Sequence, residues 1–148
     1  MKISSKGRYA LAAMILMAQE TTQNESITVL EISQKLGISK IYLEQVFSLL
    51  RRGELVTSTK GAQGGYSLAR SAMEITAADI LSATETSIFD VPESTVKDTQ
   101  PGIERALHKA LFVPANNAFK EVFERMPLSD LAEEALKGDS LDGYIYYI

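Results

Sequence analysis

Residues 39–66, SKIYLEQVFSLLRRGELVTSTKGAQGGY, constrain this chain more than any other stretch, because a helix with a single apolar stripe runs straight into a glycine-rich hairpin. Leu43, Val46, Phe47 and Leu50 fall at i, i+3, i+4 and i+7, so one face must be buried, while Lys40, Glu44, Ser48 and Arg51 line the other. Ser39 is expected to cap the helix start with its hydroxyl, and Gly53 to end it in the left-handed conformation. Glu54 to Thr59 has the β-branched content of a strand. Lys60 to Gly65, with three glycines, reads as a turn, and Tyr66 to Ala69 as the returning strand.

The preceding residues supply the rest of a recognisable unit. Ser5 to Gln19 reads as a helix with Ala10, Ala13, Met14 and Met17 on one face, widened by Leu11 and Ile15. Thr28 and Glu31 form a capping-box pattern ahead of a short helix that should turn Val29, Leu30 and Ile32 inward. Leu36-Gly37-Ile38 then makes the turn before Ser39. A short helix, a three-residue turn with glycine and a second helix is the spacing of a helix-turn-helix, and the hairpin after it makes a wing. The expected fold is therefore mainly α with a small β-hairpin wing, and the first functional hypothesis is binding of double-stranded DNA.

A net charge of −4 would argue against that partner if it were spread evenly. It is not. Residues 1–70 carry nine Lys/Arg and five Asp/Glu, net +4, whereas residues 71–148 carry six and fourteen, net −8. The positive half is the half with the helix-turn-helix pattern, as phosphate binding requires. Cysteine is absent, which excludes disulfides, thiolate catalysis, iron–sulfur clusters and cysteine-ligated zinc, and the single His108 cannot hold a metal alone. No apolar run approaches the ~18 residues of a membrane span, and the start lacks a secretory cleavage site, so a cytoplasmic chain is expected.

The candidate DNA contacts lie in three places. Lys2, Ser5, Lys6 and Arg8 surround the start of the first helix, whose free N–H groups and dipole also attract phosphate; solubilising charge at a chain end is the alternative. Ser39, Lys40, Tyr42, Glu44 and Gln45 are placed to reach base edges, with Arg51 near phosphate; Tyr42 could equally close the core beside Ile38. Glu44 would act in discrimination, since it repels phosphate unless it accepts from a cytosine amino group. In the wing, Lys60, Gly61, Gln63, Gly64, Gly65 and Tyr66 could approach the sugar–phosphate strand, although a hairpin needs those glycines for its own geometry.

Thr76, with Asp79 three residues on, caps a further helix containing Ile80 and Leu81. The expected organisation is a head at 1–85, a loop at 86–100, helices at 101–137 and a tail at 138–148. Pro101 opens a helical region in which Leu111, Phe112, Ala115, Phe119, Val122, Phe123 and Met126 follow helical spacing, with a kink or a fresh start at Pro114. That stripe either packs against a second copy, giving a homodimer with two heads, or folds back on its own head. Pro127 to Leu136 reads as a last short helix, followed by a flexible linker and the apolar end Tyr144, Ile145, Tyr146, Tyr147 and Ile148. Such an end is strapped to its own protein or inserted into another, by capture of its carboxylate.

These residues resemble the Rrf2 family of dimeric winged-helix transcriptional regulators over nearly the whole chain. The matching segments are Lys2-Ile-Ser-Ser-Lys-Gly-Arg-Tyr9, Ile41-Tyr-Leu-Glu-Gln-Val-Phe47 with Leu50-Arg51, Lys60-Gly-Ala-Gln-Gly-Gly-Tyr66, Ile75-Thr-Ala-Ala-Asp-Ile80 and Leu128-Ser-Asp-Leu131. In cluster-binding members the resemblance puts three cysteines near Ser94, near Gln100 and at Ala106, and a histidine at Lys109, so the ligands are missing and no cofactor is implied. Leu141 to Ile148 is similar to the end of the CymR type, the branch tied to cysteine metabolism, and to serine acetyltransferase tails that enter cysteine synthase. The resemblance thus implies a repressor signalled through cysteine synthase. The alternative is a protein-interaction adaptor that docks on that enzyme through the tail. An enzyme is not expected, since no nucleophile with its base, metal cluster or strand-to-helix phosphate loop is present.

Overall fold

The computed structural model describes residues 1–22, 24–61 and 64–146, with side chains as far as residue 139. Helices α1 (Ser5–Glu20), α2 (Val29–Leu36) and α3 (Lys40–Arg52) lead into strands β1 (Val56–Ser58) and β2 (Tyr66–Leu68), then α4 (Ala77–Thr84). After the loop come α5 (Pro101–Ala106), a π-helical segment (Leu107–Phe112), α6 (Val113–Glu124) and α7 (Leu128–Tyr146). The strands pair antiparallel, with Val56 opposite Leu68 and Ser58 opposite Tyr66. Mainly helical with a two-stranded wing is the expected class.

The apolar stripe of α3 is the centre of the core: Leu43, Val46, Phe47 and Leu50 are all fully buried, beside Met14 and Met17 of α1, Ile32 of α2 and Ile80 of α4. Burying each such side chain contributes about 1.5–3 kcal/mol relative to leaving it in water. Both capping boxes form. The Thr28 hydroxyl accepts from the Glu31 N–H and the Thr76 hydroxyl from the Asp79 N–H, each at 3.1 Å, while each carboxylate accepts from its cap residue's N–H. Leu30 departs from expectation and is half exposed, because two residues along a helix rotate it some 200° away from buried Ile32.

The ends of α3 differ from the sequence expectation at both boundaries. Ser39 makes no side-chain cap bond. Gly53 has φ −78°, and the left-handed residue is Glu54, at φ 59°. Gly53 is needed for space: a Cβ there would lie 2.8 Å from the Ala83 Cβ, so the glycine lets α3 end against α4.

Of the two outcomes expected at Pro114 the fresh α-helix is observed: α6 begins at Val113 with the proline in its first turn, while Phe112 and Val113 keep helical dihedrals, so the run from 101 to 124 is not broken. Proline would collide with the carbonyl four residues back, and the π segment ahead of it widens the turn, with the Val113 N–H donating to the His108 carbonyl five residues back. Its apolar stripe divides. Phe119 and Phe123 are half-buried and form an aromatic cluster with Phe89 of the loop, with ring centroids 5.0–5.9 Å apart. Leu111, Ala115, Val122 and Met126 stay exposed.

The last helix continues past Leu136 to Tyr146, so Gly138 does not open a linker. A glycine inside a helix costs only about 1 kcal/mol, and no proline follows Pro127. Its first turns belong to the head's packing. The Leu128 N–H donates to the Ile75 carbonyl at 2.7 Å, the Ala77 N–H to the Met126 carbonyl at 2.9 Å, and Leu128 and Ala132 are buried. Tyr147 and Ile148 lie outside the described residues, as does Gln63.

Candidate nucleic-acid interface

With its inner stripe sealed, α3 offers Ser39, Lys40, Glu44, Gln45, Ser48 and Arg51 on the outside, all exposed. Lys40 and Glu44 form an i,i+4 ion pair at 3.3 Å, each about half exposed. Such a surface pair is worth at most about 1 kcal/mol, so an arriving phosphate or base can break it. Until then it holds the lysine along the helix. Packing of α1 against α3 brings Lys6 beside Glu44, Gln45 and Ser48, where they line one shallow surface groove with Ile41 and Leu49.

Ile41 is the residue the sequence reading passed over. It is 71% exposed on the outer face of α3, and nothing in the apolar spacing of the helix requires an isoleucine there. The available signal was an apolar residue outside the buried stripe, flanked by polar groups.

The two tyrosines sit differently. The Tyr42 ring packs edge-on against Tyr9 at 5.2 Å and lies against the core, so of the two readings open for it the core one describes the ring. Tyr66 likewise packs on Phe47, with ring centroids 4.8 Å apart. Its backbone exchanges two 2.9 Å hydrogen bonds with Ile27, tying the root of the wing to the start of the helix-turn-helix. Gly65 permits that approach: it has φ 124°, and a Cβ would lie 2.8 Å from the Ile27 carbonyl oxygen. The Thr59 N–H and hydroxyl both donate to the Gly65 carbonyl, closing the hairpin, and Gly64 has φ 60°. Lys60 and Gly61 are exposed at its tip.

The start of α1 differs from expectation. A carboxylate already occupies it: Glu85 accepts from the Ser4 N–H at 2.9 Å and from the Ser4 hydroxyl at 2.6 Å, and the Ser4 hydroxyl accepts from the Gly7 N–H. A Cβ on buried Gly7 would lie 2.4 Å from the Glu85 oxygen, so the glycine exists to let this carboxylate in. Of the first-turn donors the Gly7 N–H is therefore capped within the chain, and a carboxylate sits at the helix start, so an incoming phosphate would meet its negative charge as well as Lys2, Lys6 and Arg8. Lys2, Lys6 and Arg8 remain exposed, while half-buried Ser5 accepts from the Arg8 guanidinium.

Not all the basic residues of the head are available. Lys35 pairs with Glu20 at 2.5 Å, and Arg70 bonds Asp79 and the carbonyls of Glu54 and Glu74, clamping the wing to α4. The rest, Lys2, Lys6, Arg8, Lys40, Arg51, Arg52 and Lys60, are exposed. At the base of α2 the Thr28 N–H, and then its hydroxyl, hold the Glu31 carboxyl below the usual range, which keeps the capping box ionised.

Among known proteins, the family model Rrf2, described as an iron-dependent transcriptional regulator, matches residues 3–134. The HTH-type transcriptional regulator CymR of Bacillus subtilis is 36% identical over 148 residues, the whole of both chains. An HTH-type transcriptional regulator IscR of Xenorhabdus nematophila is 36% identical over 133 residues, 90% of this chain and 80% of that one. The solved structure of CymR, titled the global cysteine regulator of B. subtilis, superposes with a TM-score of 0.74 at 37% identity, covering 90% of this chain and 98% of that one. Iron finds no donor set here. The chain has no cysteine, and among the described residues no three His, Asp or Glu gather closely enough to hold a metal. The residues present do not fit an iron or iron–sulfur centre.

Proposed function

Because this chain belongs to the Rrf2 family of winged helix-turn-helix transcriptional regulators, a DNA-binding and non-enzymatic family, we propose that it is a homodimeric repressor without an iron–sulfur cluster, reading a near-palindromic operator through α3. The observation that carries this reading is the division of α3 into a fully buried stripe and an outer face of Lys40, Ile41, Glu44, Gln45 and Ser48, flanked by Lys6 and the wing. Gln45 pairs with adenine, Lys40 with guanine or phosphate, and Ile41 packs on a thymine methyl group. Lys60 and the wing glycines follow the backbone, and Lys2, Lys6, Arg8 and Arg51 neutralise phosphates.

Two heads are needed for a symmetric site, and the exposed Leu111, Ala115, Val122 and Met126 supply the apolar surface for a second copy. The full-length likeness to a cysteine regulator, with the Leu141 to Ile148 end, supports control of cysteine metabolism through cysteine synthase, which would take the tail residues Tyr144, Ile145, Tyr146, Tyr147 and Ile148. No described helix is long and apolar enough to cross a membrane.

The test is titration of genomic DNA fragments with the full chain and with Lys40→Ala/Lys60→Ala, over a range of salt and with cysteine synthase added. Wild-type affinity should fall steeply with salt, the double variant should lose affinity with a salt slope lower by about two to four, since each lysine occurs twice in the dimer, and the enzyme should shift the curve. Identical curves for both proteins would overturn the DNA-reading face. A curve indifferent to the enzyme would overturn the tail assignment alone.

A further inference from the structure

Arg70 is a basic residue of the head, yet every nitrogen of its guanidinium is engaged within the chain. Nε donates to the Glu74 carbonyl at 3.4 Å, Nη1 to the Glu54 carbonyl at 3.3 Å and Nη2 to the Asp79 carboxylate at 3.2 Å. The three partners belong to three places: Glu54 joins α3 to β1, Glu74 closes the turn between β2 and α4, and Asp79 lies in the first turn of α4. Asp79 is itself fixed, since the same Oδ2 accepts from the Thr76 N–H at 2.9 Å. A planar fork holds three such acceptors at once, whereas a lysine ammonium offers a single nitrogen.

The wing is the element this brace can steer. A two-stranded hairpin is marginal by itself, so its angle is set by what it is tied to. On one side β2 is tied through the Ile27–Tyr66 bonds, and Val56 and Leu68 are buried beneath the hairpin. On the other side β1 has β2 as its only strand neighbour among the described residues. The chain enters β1 through Glu54, which stands at φ 59° without being glycine, and its carbonyl is the one that accepts from Arg70. A side-chain-bearing residue persists in that region only where its surroundings hold it. The ladder then closes at the root, with the Ala69 N–H donating to the Leu55 carbonyl at 3.0 Å.

We infer that Arg70 is a positioning residue for DNA binding: it sets the angle of the wing against α3 so that Lys60, exposed at the tip, meets the phosphate backbone. This rests on the wing contact proposed above. The lever is long. Six residues of extended chain from Glu54 to Lys60 span about 20 Å, so a tilt of about 10° at the root moves the tip by about 3.5 Å. That displacement exceeds the length of a hydrogen bond, and Lys60 would leave its phosphate while α3 stayed in place.

The experiment is a double-mutant cycle between Arg70 and Lys60, read as affinity and salt slope of the full chain on one labelled duplex enriched from genomic fragments by the wild-type chain. In the wild-type chain Lys60→Ala should weaken binding several-fold and lower the salt slope by about one to two. In the Arg70→Ala chain the same Lys60→Ala change should alter affinity less than twofold and leave the slope unchanged, while Lys40→Ala should cost as much as before. Arg70→Lys, which keeps the charge and most of the stem, covers the case in which Arg70→Ala disturbs folding, and the same loss of the Lys60 effect is expected because the fork is gone. A head that was merely destabilised would lose active protein and leave the Lys60 effect intact. An equal Lys60 effect with and without Arg70 would therefore overturn the inference and spare the wing contact, and a Lys60→Ala change without effect in the wild-type chain would overturn both.

Discussion

Helix α3 and the helical run 101–124 are both amphipathic, but they use their apolar faces in opposite ways. In α3 every residue of the stripe is fully buried within one chain, whereas α6 buries no residue completely and leaves Val122 64% exposed. The first helix is finished by its own fold and turns its polar face outward. The second keeps apolar surface in reserve. An apolar spacing in sequence therefore says that a face must be covered, and the topology decides by what.

The largest effect that tests this contrast is Phe47→Ala, expected to cost about 3–5 kcal/mol and to be read as a large fall in Tm, because it empties the middle of a closed core. Leu111→Asp with Val122→Asp should do the reverse. The double variant should sediment as a monomer while its Tm in dilute solution stays within a few degrees of the wild-type chain's. Unfolding of that variant would mean that the stripe is core for its own chain, and the comparison would collapse.

Smaller effects sharpen the picture on each side. Glu44→Ala frees Lys40, so affinity for non-operator DNA should rise a few-fold in a mobility-shift assay while discrimination falls. Glu104→Gln should leave the head intact and lower amide protection at Thr95 and Val96 in hydrogen exchange. The same bond carries a pH dependence. The Val96 N–H first, then that of Thr95, hold the Glu104 carboxyl below its usual range, so its stabilisation of the loop is present above the ordinary carboxylate pKa of about 4.3 and is lost as pH falls through the lowered value. Protection of these amides, corrected for the slower intrinsic exchange in acid, should fall before the head opens.

What was legible in the sequence was local. The stripe of α3 and the boxes Thr28–Glu31 and Thr76–Asp79 depend on residues three or four apart, and all three are present as expected. What was illegible depended on distant partners. Gly7 is invisible as a packing glycine until Glu85, a residue 81 positions from Ser4, is seen to cap the same helix. Gly53 is needed for the close approach of Ala83, whereas the left-handed residue is its neighbour Glu54. Phe119 and Phe123 share the spacing of Leu111 and Val122, and only the position of Phe89 in an aperiodic loop separates the two pairs. At the candidate interface the polar residues of α3 were read correctly as exposed, whereas Tyr42 and Tyr66 turn their rings inward and Ile41 turns outward.

The most direct measurement is selection of genomic DNA fragments by the purified full chain at moderate salt. The account predicts enrichment of inverted repeats whose half-site centres lie about 10 bp, or a multiple of that, apart, as two α3 helices on one dimer require. Recovery of no enriched sequence, or of a motif without two-fold symmetry, would contradict it.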